Sequence, residues 1–360
     1  DKLLIKYNNS LYLTNLIQTQ RQLEKYIETI IHDSYLAIDT EFKRIDTYYP
    51  ELCLVQIATS HSIECIDVLS IDNLEPLFEK IYNKKTLWIV HSARQDIEAL
   101  FKLSKQIPNA LFDTQIAASL LNYPVQISYQ ALTEELQGIR LKKDHTRFDW
   151  TIRPLPKSVI DYALDDVRYL IPNYKKLVNE LKLNNKTKWQ EEDSAYLLEP
   201  SLYDLSIEQV WNKTKGISRL SKRHQKEAMK LVAWREKNAK DKNIPRKWIM
   251  ADDKLINYAS GKNKLSEKSQ KSFDEFLINS KNNFTIKDLA KINKPLNASE
   301  KNAKKELQRN IKMIAKKYNL PPEIIITSKS QTKFIRGDTN ISFCRGWRAE
   351  IFNKEKLNAK

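Results

Sequence analysis

A chain of 360 residues is longer than one ordinary core supports, and at roughly 150 residues per domain it points to two or three domains. Its five glycines, Gly138, Gly216, Gly261, Gly337 and Gly346, fit neither the G-x-G-x-x-G nor the G-x-x-x-x-G-K-[ST] spacing, which excludes phosphate binding by a glycine-rich loop. The net charge of +16 is uneven: residues 1–200 carry 24 basic and 28 acidic side chains, net −4, whereas residues 201–360 carry 37 and 17, net +20.

Three β-rich runs follow one another near the start, Leu36–Phe42, Leu52–Thr59 and Ser62–Val68, and the short connection at Ser60 and His61 predicts an antiparallel meander. A fourth run, Thr86–His91, leads into a helical pattern carrying Ile97, Leu100 and Phe101. A fifth, Ala110–Phe112, opens another helix at Asp113 and Thr114. Strands alternating with helices after a meander predict a mixed α/β sheet. Further on, Ile160, Ala163, Leu164, Val167, Leu170 and Ile171 form one apolar helical stripe.

From about residue 203 the strand signals stop and basic amphipathic helices take over. Asn243-Ile244-Pro245, followed by Trp248-Ile249-Met250, recurs 76 residues later as Asn319-Leu320-Pro321, followed by Ile324-Ile325-Ile326. A lysine-rich helix precedes each Asn-apolar-Pro turn, and proline stops it because it cannot donate a backbone hydrogen bond. Two small helical domains of one type are expected. So basic a half attracts polyanions, nucleic acid first and an anionic membrane surface second; a merely soluble lysine-rich surface is the other reading. Its densest run is Arg219, Lys222, Arg223, Lys226, Lys230 and Arg235, opposed by Glu227 alone. Arg219, Lys222, Arg223 and Lys226 are candidates for phosphate contacts, against a solvated helix face.

Several acids stand where an apolar neighbourhood makes them costly. Asp39 and Glu41 are two apart on a strand, so both carboxylates share one face, with Ile38 and Thr40 on the other. Such a pair needs cations nearby. Asp166 lies one helical turn beyond Tyr162 on the flank of the apolar stripe, while Asp165 points to solvent. Asp96 falls in the first turn of its helix, where an acid also stabilises the helix dipole, and the Asp113-Thr114 pair has the same capping role open to it. Taken together, four acids without a glycine loop suit a phosphodiester hydrolase that holds two divalent metals roughly 4 Å apart. A tyrosine beside the attacking water orients it more plausibly than it deprotonates it, since its ordinary pKa is near 10.

In this order the residues resemble the DEDD family of 3′ to 5′ exonucleases, in the tyrosine-bearing branch that includes the ribonuclease D group. The first motif is Asp39-Thr40-Glu41-Phe42, the second His91 with Asp96, and the third Tyr162-Ala163-Leu164-Asp165-Asp166-Val167. Leu52–Ala58, Phe112–Leu121 and Thr146–Pro156 are also similar, and the helical half resembles HRDC nucleic-acid-binding domains in two copies. The resemblance implies an α/β ribonuclease-H-like exonuclease domain over residues 1–200, followed by two all-α HRDC-type domains at 203–284 and 285–360. It implies that Asp39, Glu41, Asp96 and Asp166 bind two divalent ions, Mg²⁺ or Mn²⁺, and that Tyr162 positions water. It also implies 3′ trimming of tRNA precursors and other small structured RNAs, with release of 5′-mononucleotides. His91, Phe148, Trp150 and Arg153 are candidates for contacts to the terminal nucleotides. For His91 the alternative is a satisfied strand-end histidine, and for the others a packed loop wedge.

The three cysteines, Cys53, Cys65 and Cys344, form no C-x-x-C pair, no apolar run reaches the roughly 20 residues of a membrane span, and no basic-then-apolar leader pattern begins the chain. A cytoplasmic monomer acting on RNA with a free 3′ end, with no organic cofactor and no membrane partner, is the expectation. A DNA exonuclease with the same site, a non-catalytic nucleic-acid-binding adaptor and a membrane-surface protein stay open as alternatives.

Overall fold

The computed structural model describes residues 15–142, 144, 148–280 and 295–358. Six strands, β1 (Leu16–Ile17), β2 (Tyr35–Lys43), β3 (Glu51–Ala58), β4 (Ile63–Ile66), β5 (Leu87–Val90) and β6 (Ala110–Asp113), form one sheet in the order β1-β4-β3-β2-β5-β6. β3 and β4 pair antiparallel as the short connection predicts, whereas β2 with β5, β5 with β6 and β1 with β4 are parallel. The sheet is therefore mixed. The two-residue β1 was not expected, being too short to show a period.

Helices α1 (Gln20–Thr29), α2 (Glu75–Ile81), α3 (Arg94–Ser104), α4 (Thr114–Leu120), α5 (Tyr129–Gln137), α6 (Lys157–Arg168), α7 (Leu170–Leu183) and α8 (Thr187–Ala195) surround the strands in sequence. The apolar stripe read as one helix is divided between α6 and α7 at Tyr169. Pro172 explains the break, because it has no N–H to bond the carbonyl four residues earlier. Val159, Ala163, Leu164 and Val167 of α6 are buried in a core shared with Ala37, Leu54, Cys65 and Ile89 of the sheet. Burying each of the larger side chains contributes about 1.5 to 3 kcal/mol, which presses the helix carrying Tyr162 and Asp166 onto β2.

No strand follows β6 among the described residues. The remaining helices are α9 (Ile207–Lys213), α10 (Lys222–Asp241), α11 (Arg246–Ile249), α12 (Asp252–Ala259), α13 (Glu267–Asn279), α14 (Ala298–Tyr318), α15 (Pro322–Ile325), α16 (Ser328–Ile335) and α17 (Gly346–Asn358). The 76-residue repeat is visible in them. α10 and α14 have 20 and 21 residues, α11 and α15 four each, and α12 and α16 eight each. Both turns use an asparagine in the left-handed region, Asn243 at φ 48° and Asn319 at φ 49°. The turn hydrogen bonds also coincide: Ile244 N to Ala239 O at 3.0 Å and Leu320 N to Ala315 O at 2.9 Å.

By packing, the chain forms two compact units over its described residues, one from Asp1–Lys43, Leu52–Pro200 and Asn297–Lys360, the other from Arg44–Glu51 and Ser201–Leu296. Within the first unit the second repeat copy shares a core with the α/β part. Leu307, Ile311, Ile314, Ile325 and Trp347 pack with Phe112, Ala117, Leu120, Leu177 and Leu181. Asn122 Nδ2 donates to Asn319 Oδ1 at 2.9 Å, and the buried Lys186 ammonium donates to the carbonyls of Leu120 and Asn319. The second unit has its own core, including Val210, Trp211, Ala228, Leu231, Trp234, Leu255 and Phe273. The boundary expected at 284/285 lies outside the described residues.

Candidate active site

Asp39 and Glu41 project from β2 on one face, as the strand period requires, and Asp166 approaches them from α6. Their ligand oxygens all lie within 4.8 Å of one another. Asp96 sits in the first turn of α3, at the end of β5 beside β2, and is buried. Its Oδ1 accepts a 2.6 Å hydrogen bond from the Thr40 hydroxyl. The strand thus holds two acids on one face and grips a third through the residue between them.

The electrostatics follow from this crowding. Burial, then the charges of Asp96, Asp166 and Glu41, hold the Asp39 carboxyl well above its usual range. Glu41 is pushed up to about 9 by burial and by Asp166 and Asp96. Burial lifts Asp96 and Asp166 to about 7 each, against hydrogen bonds from Thr40 and Tyr162 that act in the opposite direction. Burial and the neighbouring acids are thus what raise all four carboxyls. An oxygen-rich cluster of this kind fits a hard divalent cation.

Tyr162 stands one turn from Asp166, and its hydroxyl donates to that carboxylate. Burial, and then the negative charges of Asp166, Glu41 and Asp39, raise the phenol well above its ordinary value, so it stays protonated at neutral pH. Behind it Trp150 is 4% exposed, its ring 6.4 Å from that of Tyr162 and 5.3 Å from that of Phe148. Trp150 packs in the core, with the half-buried Phe148 against it. Thr146 and Arg147, at the start of the same stretch, lie outside the described residues.

Arg153 is equally built in. Its guanidinium grips Asp67 with two hydrogen bonds, at 2.7 and 2.6 Å, and donates to the carbonyls of Trp150, Ile152 and Cys53. His91 holds its place through Thr114 Oγ1 at 2.9 Å on Nδ1 and the Ile127 carbonyl at 3.0 Å on Nε2. Burial lowers its pKa, favouring the neutral ring. Asp113 does cap α4, accepting from the N–H groups of Gln115 and Ile116. It also accepts from Ser92 and Ala93, which fixes the turn before Asp96. Asp165, read as solvated, pairs with Arg168 at 2.7 Å on an exposed edge.

Thr40 and Tyr129 are two further residues that hold the site in place. The buried Tyr129 hydroxyl donates to Asp165 O at 2.9 Å and accepts from Tyr169 N at 3.0 Å, bridging the α6/α7 break beside Asp166. Neither residue has a local signal, because its partner lies 36 to 56 residues away.

In the helical half, Arg219, Lys222, Arg223 and Lys226 are exposed. Lys230 pairs with Glu227 at 3.1 Å, and Arg235 leaves the basic run altogether: it is 3% exposed and bound to Asp252 and the Met250 carbonyl. The helical period turns it inward, away from the exposed cations.

Comparison with known proteins agrees with this geometry. Residues 14–182, which contain all four acids and Tyr162, match the family model described as 3'-5' exonuclease. The chain is 35% identical to ribonuclease D of Bartonella henselae, covering 95% of this chain and 89% of that protein, and 32% identical to ribonuclease D of Nitrobacter hamburgensis, covering 96% and 95%. Its fold is similar to the crystal structure of Escherichia coli RNase D, an exoribonuclease involved in structured RNA processing, with a TM-score of 0.83 over 96% of this chain and 98% of that one at 22% identity. The fold is therefore the mixed-sheet, ribonuclease-H-like exonuclease fold, and by its extended identity to these relatives the chain belongs to the ribonuclease D family of 3′ to 5′ exonucleases.

Proposed function

We propose that the chain is a 3′ to 5′ exoribonuclease that hydrolyses phosphodiester bonds one nucleotide at a time and releases 5′-mononucleotides from tRNA precursors and other small structured RNAs. The observation that carries this reading is the approach of Asp39, Glu41 and Asp166 to within 4.8 Å, with Asp96 tied to the same strand through Thr40. Two Mg²⁺ or Mn²⁺ ions bound by these four carboxylates would activate water and stabilise the departing oxygen. Tyr162, protonated and donating to Asp166, orients the attacking water rather than taking its proton. His91, through Thr114 and Ile127, and Asp113, through the Ser92–Ala93 turn, position the start of α3 and with it Asp96. Phe148 and Trp150 back the Tyr162 ring, and Arg153 anchors their loop to Asp67.

Residues 203–284 and 285–360 are two HRDC-type domains in this reading, and the exposed Arg219, Lys222, Arg223 and Lys226 of the first contact phosphates. No helix among the described residues is long and apolar enough to cross a membrane, and the chain is read as a cytoplasmic monomer. The test is stepwise shortening of a single-stranded RNA with a 3′-hydroxyl in Mg²⁺ or Mn²⁺, abolished by EDTA. Endonucleolytic fragments or metal-independent cleavage would overturn it, and DNA of the same sequence tests sugar preference.

A further inference from the structure

The two repeat copies share a fold but not a chemistry at one turn. In both, a long helix ends in a left-handed asparagine, then proline, then a four-residue helix. In the first copy that helix reads Arg246-Lys247-Trp248-Ile249, in the second Pro322-Glu323-Ile324-Ile325. Arg246 turns to the buried Glu236 and to Tyr48, and Ile249 packs on the core of the second unit, so Lys247 and Trp248 are left facing solvent. Trp248 is 57% exposed, whereas the other six tryptophans are buried or half-buried. At the same two positions the second copy carries an exposed Glu323 and an Ile324 packed on the core around Trp347.

Packing explains Ile324 and does not explain Trp248. An exposed indole beside a lysine, in the half that carries net +20, matches what an unpaired nucleobase and its phosphate require: a flat aromatic face and a cation. Glu323 at the equivalent site would repel that phosphate. Lys242, exposed at the end of α10, lies on the same turn, and Lys222, Arg223 and Lys226 lie at the other end of this helix, about 30 Å away at 1.5 Å per residue.

We propose that Lys247 and Trp248 form a stacking site for an unpaired base of the RNA, present in the first repeat copy only, while the second copy serves as part of the catalytic body. This rests on the reading of the chain as an RNA-trimming enzyme. Its test is fluorescence anisotropy of a labelled single-stranded RNA with the full chain in EDTA, where no trimming occurs. Trp248→Ala weakens binding about tenfold, the size expected for one lost base stack, and Trp248→Phe restores most of it. Lys247→Ala lowers the slope of log K against log salt by about 0.7, as for one phosphate on a single strand, while Glu323→Gln changes neither. In trimming assays Trp248→Ala raises KM and leaves kcat unchanged. Equal RNA affinity of wild type and Trp248→Ala overturns the stacking site and leaves the exonuclease reading standing, because the wild type still binds and trims. Failure of the wild type itself to bind and trim RNA would overturn the reading beneath it.

Discussion

Thr40 lies between Asp39 and Glu41 on β2, and its hydroxyl crosses to donate a 2.6 Å hydrogen bond to Asp96 on α3. A strand whose odd positions hold the clustered carboxylates thereby uses its even position to orient the acid of the neighbouring helix. Partners of metal-ligating groups typically change metal affinity about 10- to 100-fold when removed. Thr40→Val is therefore expected to weaken Mn²⁺ binding by about that factor, because Asp96 loses a hydrogen bond that favours its charged form. Thr40→Ser keeps the hydroxyl and the affinity. Calorimetric Mn²⁺ titration of the three proteins decides it.

The raised carboxyls predict how pH acts on the metal-free protein. Asp96 and Asp166 titrate near 7 and Glu41 near 9, all above the ordinary values of roughly 4 in an unfolded chain. Folding without metal takes up protons, so the contribution of this cluster to stability is largest at low pH and falls as pH rises from about 4 to about 9. Metal requires deprotonated ligands and binds better as pH rises. The increase in Tm caused by Mn²⁺, measured against EDTA by differential scanning, should be larger at pH 8 than at pH 6. An increase independent of pH would count against the cluster as the metal site.

Tyr162 and Asp39 separate two roles. Asp39→Ala removes a carboxylate from the cluster and should abolish trimming. Tyr162→Phe keeps the ring against Trp150 and loses only the hydroxyl, so kcat should fall about 100-fold with RNA and metal affinity retained. Single-turnover kinetics at saturating Mn²⁺, together with RNA binding in EDTA, measure both. A Tyr162→Phe protein with unchanged kcat would remove the hydroxyl from the reaction.

Arg153 distinguishes an RNA clamp from a structural brace. Its donors hold a fully buried Asp67 and three carbonyls. Burial alone would raise the Asp67 pKa; hydrogen bonds from Arg153, Gln18 and Ser70 outweigh it and lower it instead. Arg153→Ala should cost about 3 kcal/mol of stability, the low end for stranding a buried charge, with RNA affinity in EDTA unchanged. Urea melts at pH 7 and RNA titrations provide the two numbers, and a stable variant that binds RNA poorly would return Arg153 to the nucleic-acid surface.

In the second unit, the buried Glu236 carboxylate binds Arg246 and the Tyr48 hydroxyl, and Asn243 Oδ1 accepts from Tyr49 N at 3.1 Å. These contacts secure Arg44–Glu51 within that unit. Glu236→Ala should lower its unfolding free energy by about 3 kcal/mol, since it leaves a guanidinium and a phenol without their shared partner. A urea midpoint equal to that of the wild type would show that the network contributes nothing.

What the sequence determined by itself was local. The period of β2 put Asp39 and Glu41 on one face, the turn of α6 put Tyr162 beside Asp166, and proline after asparagine marked both repeat turns; each depends on residues within a few positions of one another. The α6/α7 division was legible too, in Pro172, but was masked by an apolar stripe that runs unbroken across it. The tertiary structure alone decided which cations face outward and which are spent. Arg153 meets Asp67 from 86 residues away, Arg235 meets Asp252 from 17, and Thr40 reaches Asp96 across 56. It alone decided that one repeat copy shares the core of the catalytic body while the other builds its own. The physical reason is that helix and strand periods act over a few residues, whereas the partner of a buried charge is set by how distant segments pack.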